Sequence, residues 1–111
     1  MSYKVNSTPF FEREAKPLIK KYPSLSDEIS QLVDSLSEQP VQGTALSNNC
    51  YKIRLALRSK GKGKSGGARV ISCVIAVREE VLLLSIYDKS EQQTVSNAEI
   101  RKRLNNYLND L

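Results

Sequence analysis

The sequence has no histidine, no tryptophan, one methionine and two cysteines. Without histidine neither a Ser–His nor a Cys–His nucleophilic pair can form, so acid–base chemistry falls to lysine, arginine, tyrosine or a carboxylate. Cys50 and Cys73 stand far apart, with no second thiol or imidazole beside either, which excludes the usual zinc spacings. No apolar run approaches the roughly 18 residues of a membrane-crossing helix. The opening residues, MSYKVNSTPFF, lack the apolar centre of an export signal. The expectation is a cytoplasmic protein with free thiols and no membrane partner. The most telling absence is local: residues 52 to 69 contain no carboxylate at all.

That carboxylate-free segment holds seven cations: Lys52, Arg54, Arg58, Lys60, Lys62, Lys64 and Arg69. The net charge is +5, so everything outside the segment sums to −2 and the basicity is concentrated. A concentrated positive field suits a polyanion such as nucleic acid. With 111 residues, 40% of them hydrophobic, the chain is sized for a single domain over residues 1–111 with one modest core of Leu, Ile and Val.

Periodicity sets out the elements. Tyr3 to Ser7 has strand character. Thr8-Pro9 reads as a helix start, with Thr as cap and Pro at the first helical position, where its missing N–H costs little. Phe11, Ala15, Leu18 and Tyr22 follow at helical spacing, with Pro17 expected to kink that helix or start a new turn. Ser24 and Asp27 resemble a capping box opening a second helix, whose face is Leu25, Ile29, Leu32, Val33 and Leu36; Pro40 stops it. Residues 40–49 read as loop. From Tyr51 the period becomes two: Tyr51, Ile53, Leu55 and Leu57 alternate with Lys52, Arg54, Ala56 and Arg58, the pattern of a half-buried strand. Residues 59–67, SKGKGKSGG, form a basic loop. Residues 68–77 and 81–87 are apolar on both faces and read as buried strands. Ser96 and Glu99 give a second capping box, before a helix lined by Ile100, Leu104, Tyr107 and Leu108. The order is β-α-α-β-β-β-α, an α+β fold: an antiparallel meander with a helical hairpin and a C-terminal helix packed on one face.

Strand parity picks out the chemistry. Lys52 and Arg54 share a face, which Arg58 extends; Tyr87 and Lys89 share one too; Arg69 opens the neighbouring strand. If these ends converge, five polar side chains line one concave surface. A solvated sheet face has the same alternation. The stretch Gly61 to Gly67 invites a phosphate-loop reading but fails it: the first glycine of that motif would fall at Arg58, and a strand rather than a helix follows. A phosphate-grasping arm carrying Lys60, Lys62 and Lys64, or a plain solvated loop, are the readings that remain.

The run CYKIRLALRSKGKGKSGGARVI, the element order and the size resemble the RelE/ParE superfamily of toxins from type II toxin–antitoxin systems. The extended lysine–glycine loop looks most like the HigB-related, RelE-like subgroup. The resemblance implies a RelE-like fold and a ribosome-dependent mRNA endoribonuclease that inhibits translation without a metal or other cofactor. Its partners would be a cognate antitoxin, the ribosome and mRNA, with the protein monomeric or in a toxin–antitoxin hetero-oligomer. Lys52 and Arg54 match the paired basic positions after the helical hairpin, Arg69 the arginine opening the next strand, and Lys89 the basic residue after the last strand. RelE carries a tyrosine further on, where this chain reads SEQQTV; Tyr87 is the substitute at hand. RNA cleavage by its own 2′-hydroxyl needs a base, positive charge on the phosphorane and an acid for the 5′ oxygen. Lys52 is the candidate base, since surrounding cations favour a neutral amine. Arg54 would stabilise charge, Arg69 hold the phosphate, Lys89 act as acid or second phosphate contact, and Tyr87 stack on a base or donate a proton. Arg58, Lys60, Lys62 and Lys64 would bind RNA. Two other readings share the pattern: a ParE-like toxin that inhibits gyrase through protein contact, and a non-catalytic RNA-binding protein.

Overall fold

The computed structural model describes residues 2–57, 66–91 and 94–109. Strand β1 (Lys4–Ser7) leads into helices α1 (Pro9–Lys21) and α2 (Leu25–Glu38). Then come β2 (Thr44–Ala45), β3 (Cys50–Leu55), β4 (Ala68–Ile75), β5 (Glu80–Asp88) and α3 (Asn97–Asn109). The sheet order is β1-β5-β4-β3-β2, with β3, β4 and β5 forming the expected antiparallel meander. Two features go beyond the sequence reading. β1 pairs parallel to β5 at one edge, and the two-residue β2 pairs with β3 inside what reads as loop.

Helix α1 starts as its sequence dictates. The Thr8 hydroxyl accepts from Phe11 N–H at 3.3 Å and donates to Leu83 O at 3.0 Å, tying the cap to β5. The helix continues through Pro17, which lies on its exposed side, where water can take up the carbonyl that proline leaves unpaired. Ser24 does not cap α2. Its backbone is already helical (φ −64°, ψ −16°), and its carbonyl accepts from Glu28 N–H, so the hydroxyl is not poised over the first free amides.

Adjacent residues of β5 show how the core divides. Val81 and Leu83 pack with Phe11, Leu25 and Leu36 of α1 and α2. Leu82 and Leu84 pack with Ile71, Val95 and Ile100. Helix α3 therefore covers the face opposite α1 and α2, correcting the expectation that all three helices lie on one side. The reason is visible in the strands: β4 and β5 are apolar on both faces, so each face needs a covering layer.

Cys50 and Cys73 are likewise not free thiols. They are directly opposed across β3 and β4, with Cα atoms 4.0 Å apart, and are joined in a disulfide. Antiparallel register makes them neighbours, although 23 positions separate them in the chain.

Helix α3 runs antiparallel to β5. Tyr107 near its end donates to Glu80 Oε2 at 3.1 Å, and Arg103 reaches Glu14 of α1 with Nη1 at 2.8 Å and Nη2 at 3.2 Å. Burial penalises the Arg103 charge, but hydrogen bonds to Glu14 and Glu99 outweigh it and raise its pKa. The Arg103 bond, 2.9 Å from Nε, holds Glu99 below the usual carboxylate range. Because the folded carboxyl titrates below the unfolded one, this bond stabilises α3 above the ordinary glutamate pKa of about 4.3 and is lost as pH falls through the folded value. We expect the melting temperature to drop on acidification below about pH 4, with Glu99→Gln removing part of that drop; thermal unfolding followed by circular dichroism across pH measures it.

Candidate nucleic-acid site at the end of the sheet

Three of the five candidate catalytic residues form one row. Arg54 of β3 pairs with Arg69 of β4, and Arg69 pairs with Tyr87 of β5. With strands about 4.8 Å apart, the row spans about 10 Å. Lys52 lies on the same face of β3, one same-side step or about 7 Å from Arg54. Lys89 follows the end of β5, where its N–H donates to Gly67 O at 3.1 Å and carries the pairing one residue further. The row is on the α3 face: Tyr87 belongs to the cluster of Ile71, Val95 and Ile100, and Lys52 Nζ donates to Thr94 Oγ1 at 3.3 Å. Arg58, Lys60, Lys62 and Lys64 lie outside the described residues.

Tyr87 reaches this face through an irregularity. Ile71 pairs with Ser85 but Ser72 pairs with Leu83, so Leu84 is an extra residue on β5. Leu82 and Leu84 face α3, and strict alternation would send Tyr87 to the opposite side. The bulge shifts the parity, so that Ile86 joins the α1–α2 core and Tyr87 stands beside Arg69.

The row is electrostatically unfavourable to itself. Arg69 is only 4% exposed, with its guanidinium turned back onto Ala68 O at 3.1 Å. Burial first, then the neighbouring Arg54 charge, lowers its pKa, and Tyr87 partly offsets this. A guanidinium stays protonated regardless, so the consequence is a buried positive charge that gains from an incoming anion. The Tyr87 hydroxyl is buried and has no hydrogen-bond partner among the described residues. A buried phenol without a partner is uncommon and marks a place where a ligand oxygen can bond. Helix α3 adds to the field. Its first amides, with Ser96 Oγ accepting from Glu99 N–H at 3.1 Å, open near the Thr94–Lys52 contact.

Thr94 is the contact that sequence reasoning missed. Its hydroxyl also bonds Val95 O at 3.4 Å, and Val95 is buried between β5 and α3. The lone apolar residue in the polar segment before α3 was the only available sign that this segment is pinned to the sheet. Among the described residues no group of three or more His, Cys, Asp or Glu is arranged to hold a metal ion, and no helix is long and apolar enough to cross a membrane.

No family model matches the sequence. Among solved structures, the chain is similar to an arginine-to-alanine double variant of E. coli toxin RelE in the free state. That match has 17% identity and a TM-score of 0.61, over 96% of this chain and 98% of that one. It is similar to the isolated E. coli RelE toxin at 22% identity and TM-score 0.55, over 93% and 99% of the two chains. It is also similar to a chain of the RelBE2 toxin–antitoxin complex from Mycobacterium tuberculosis, at 15% identity and TM-score 0.55, over 79% and 99%. At these identities the likeness speaks for architecture, and the architecture is unambiguous: this chain has the fold of the RelE toxins.

Proposed function

We propose that this protein is the toxin of a toxin–antitoxin system and that it cleaves mRNA on the ribosome. The observation that carries the reading is the Arg54–Arg69–Tyr87 row, with Lys52 and Lys89 beside it. Two directly opposed guanidinium groups beside a buried hydroxyl that has no hydrogen-bond partner among the described residues make a place where a phosphate is favoured.

In this reading Arg69 and Arg54 hold the scissile phosphate. Lys52 takes the proton of the 2′-hydroxyl, whose oxygen attacks phosphorus. The P–O5′ bond breaks to leave a 2′,3′-cyclic phosphate. Tyr87 or Lys89 gives a proton to the departing 5′ oxygen; the unpartnered Tyr87 hydroxyl favours the tyrosine. The two arginines act on the extra charge of the phosphorane, where fixed cations contribute most. An antitoxin and the ribosome–mRNA complex are the proposed partners, and the toxin–antitoxin assembly among the similar structures supports the first. The likeness to the HigB-related subgroup rests on the 59–67 loop, most of which lies outside the described residues.

Mapping mRNA 5′ ends after induction, with translation running and with it blocked, tests the proposal. Cuts inside translated frames that vanish when ribosomes are stalled before initiation are the expected result. Intact mRNA with altered plasmid supercoiling would replace it with the gyrase reading. Salt-sensitive RNA affinity without cutting would reduce it to an RNA-binding protein.

A further inference from the structure

β1 covers the outer edge of β5 only as far as Leu83, and the bulge begins at the next residue. From there a side-chain pair takes the place of a strand. Arg103 Nη1 of α3 donates to Leu84 O at 3.2 Å. Glu14 Oε1 of α1 accepts from Ser85 Oγ at 3.0 Å and from Ile86 N–H at 3.4 Å. The two side chains are paired with each other, and Glu99 braces the guanidinium from the next turn. One donor and one acceptor thus serve Leu84 O and Ile86 N–H, with the Ser85 hydroxyl held by the same carboxylate, at the place where strand parity changes.

We propose that Glu14 and Arg103 are positioning residues for the basic row: by clamping the Leu84 bulge they hold Tyr87 on the face of Arg69. Both act through β5, since the parity that puts Tyr87 beside Arg69 exists only while Leu84 stays out of register. Without the clamp, β5 can return to regular pairing with β4, and a one-residue shift carries Tyr87 to the α1–α2 side. The role in catalysis rests on the function proposed above; the role in setting Tyr87 does not.

The test combines NMR of uniformly isotope-labelled protein with cleavage kinetics for Arg103→Lys and Glu14→Gln, the second being the milder change should the first not fold. The expected result is a native far-ultraviolet spectrum, loss of the Tyr87–Arg69 cross-strand contact, and at least tenfold faster exchange of the Ile86 amide. Turnover should fall at least tenfold with KM within twofold of wild type. A folded variant that keeps the Tyr87–Arg69 contact and Ile86 protection overturns the proposal, whatever its activity. Absence of cleavage in the wild type would instead remove the enzymatic reading, and the NMR arm would still decide whether the clamp sets Tyr87.

Discussion

Arg69→Ala is expected to abolish growth arrest and to slow mRNA cleavage by about 10²–10³-fold, the usual loss when a group that binds developing charge is removed. Arg69 is the central member of the row, flanked by Arg54 on one strand and Tyr87 on the other. Burial, and after it the like charge of Arg54, lowers its pKa. The same facts predict that stability will not follow activity. Removing a charge directly opposite another of the same sign relieves a repulsion worth up to about 1 kcal/mol. Arg69→Met, which keeps most of the buried volume, should therefore fold and melt within a few degrees of the wild type while remaining inactive. Arg69→Lys should recover only part of the rate, since an ammonium does not reproduce the planar fork of a guanidinium. Cleavage in a translating extract and thermal denaturation of the same samples measure both quantities. Full toxicity of the methionine variant would show that the row does not hold a phosphate.

The second large effect is expected at the sheet's other end. Replacing both Cys50 and Cys73 by alanine should cost about 3 kcal/mol, from loop closure over a separation of 23 residues. All seven cations of the basic segment lie between the two cysteines. The bond thus fastens the strands that carry Lys52, Arg54 and Arg69, against the repulsion of the Arg54–Arg69 pair. Lys52 and Arg54 depend on that register, because a slip of one residue would turn both toward α2. Reduction of the wild-type protein should lower its denaturation midpoint by the same amount as the double substitution. Equal midpoints for oxidised and reduced protein would mean that hydrogen bonding and packing alone hold the hairpin.

The elements were legible where one force dominates a short stretch. The two-residue alternation from Tyr51 to Leu57 records a strand with one dry face; β3 ends at Leu55, and Ile53, Leu55 and Leu57 are all buried. Thr8-Pro9 carries its own cap and first-turn residue, and the structure uses both. Lys52 and Arg54 fall on one face because they are two apart. Ser24 misled because the turn at Pro23 already bonds the Leu25 and Ser26 amides and leaves the Ser24 backbone helical. The parity of Tyr87 was readable relative to Lys89 but not relative to Leu82 and Leu84, because nothing in a run of apolar residues marks which one is extra.

What the sequence determined by itself is therefore local: the helices and strands, the apolar stripe of each, and a block of positive charge with no carboxylate to neutralise it. Backbone sterics and side-chain period act over a few residues and leave their mark there. The tertiary structure alone decided that α3 covers the second face, that Cys50 meets Cys73, that Glu14 meets Arg103 across 89 positions, and that a bulge brings Tyr87 to Arg69. Those outcomes depend on register and on which surfaces remain uncovered once the strands pair. Both are properties of the assembled sheet, and no short segment contains them.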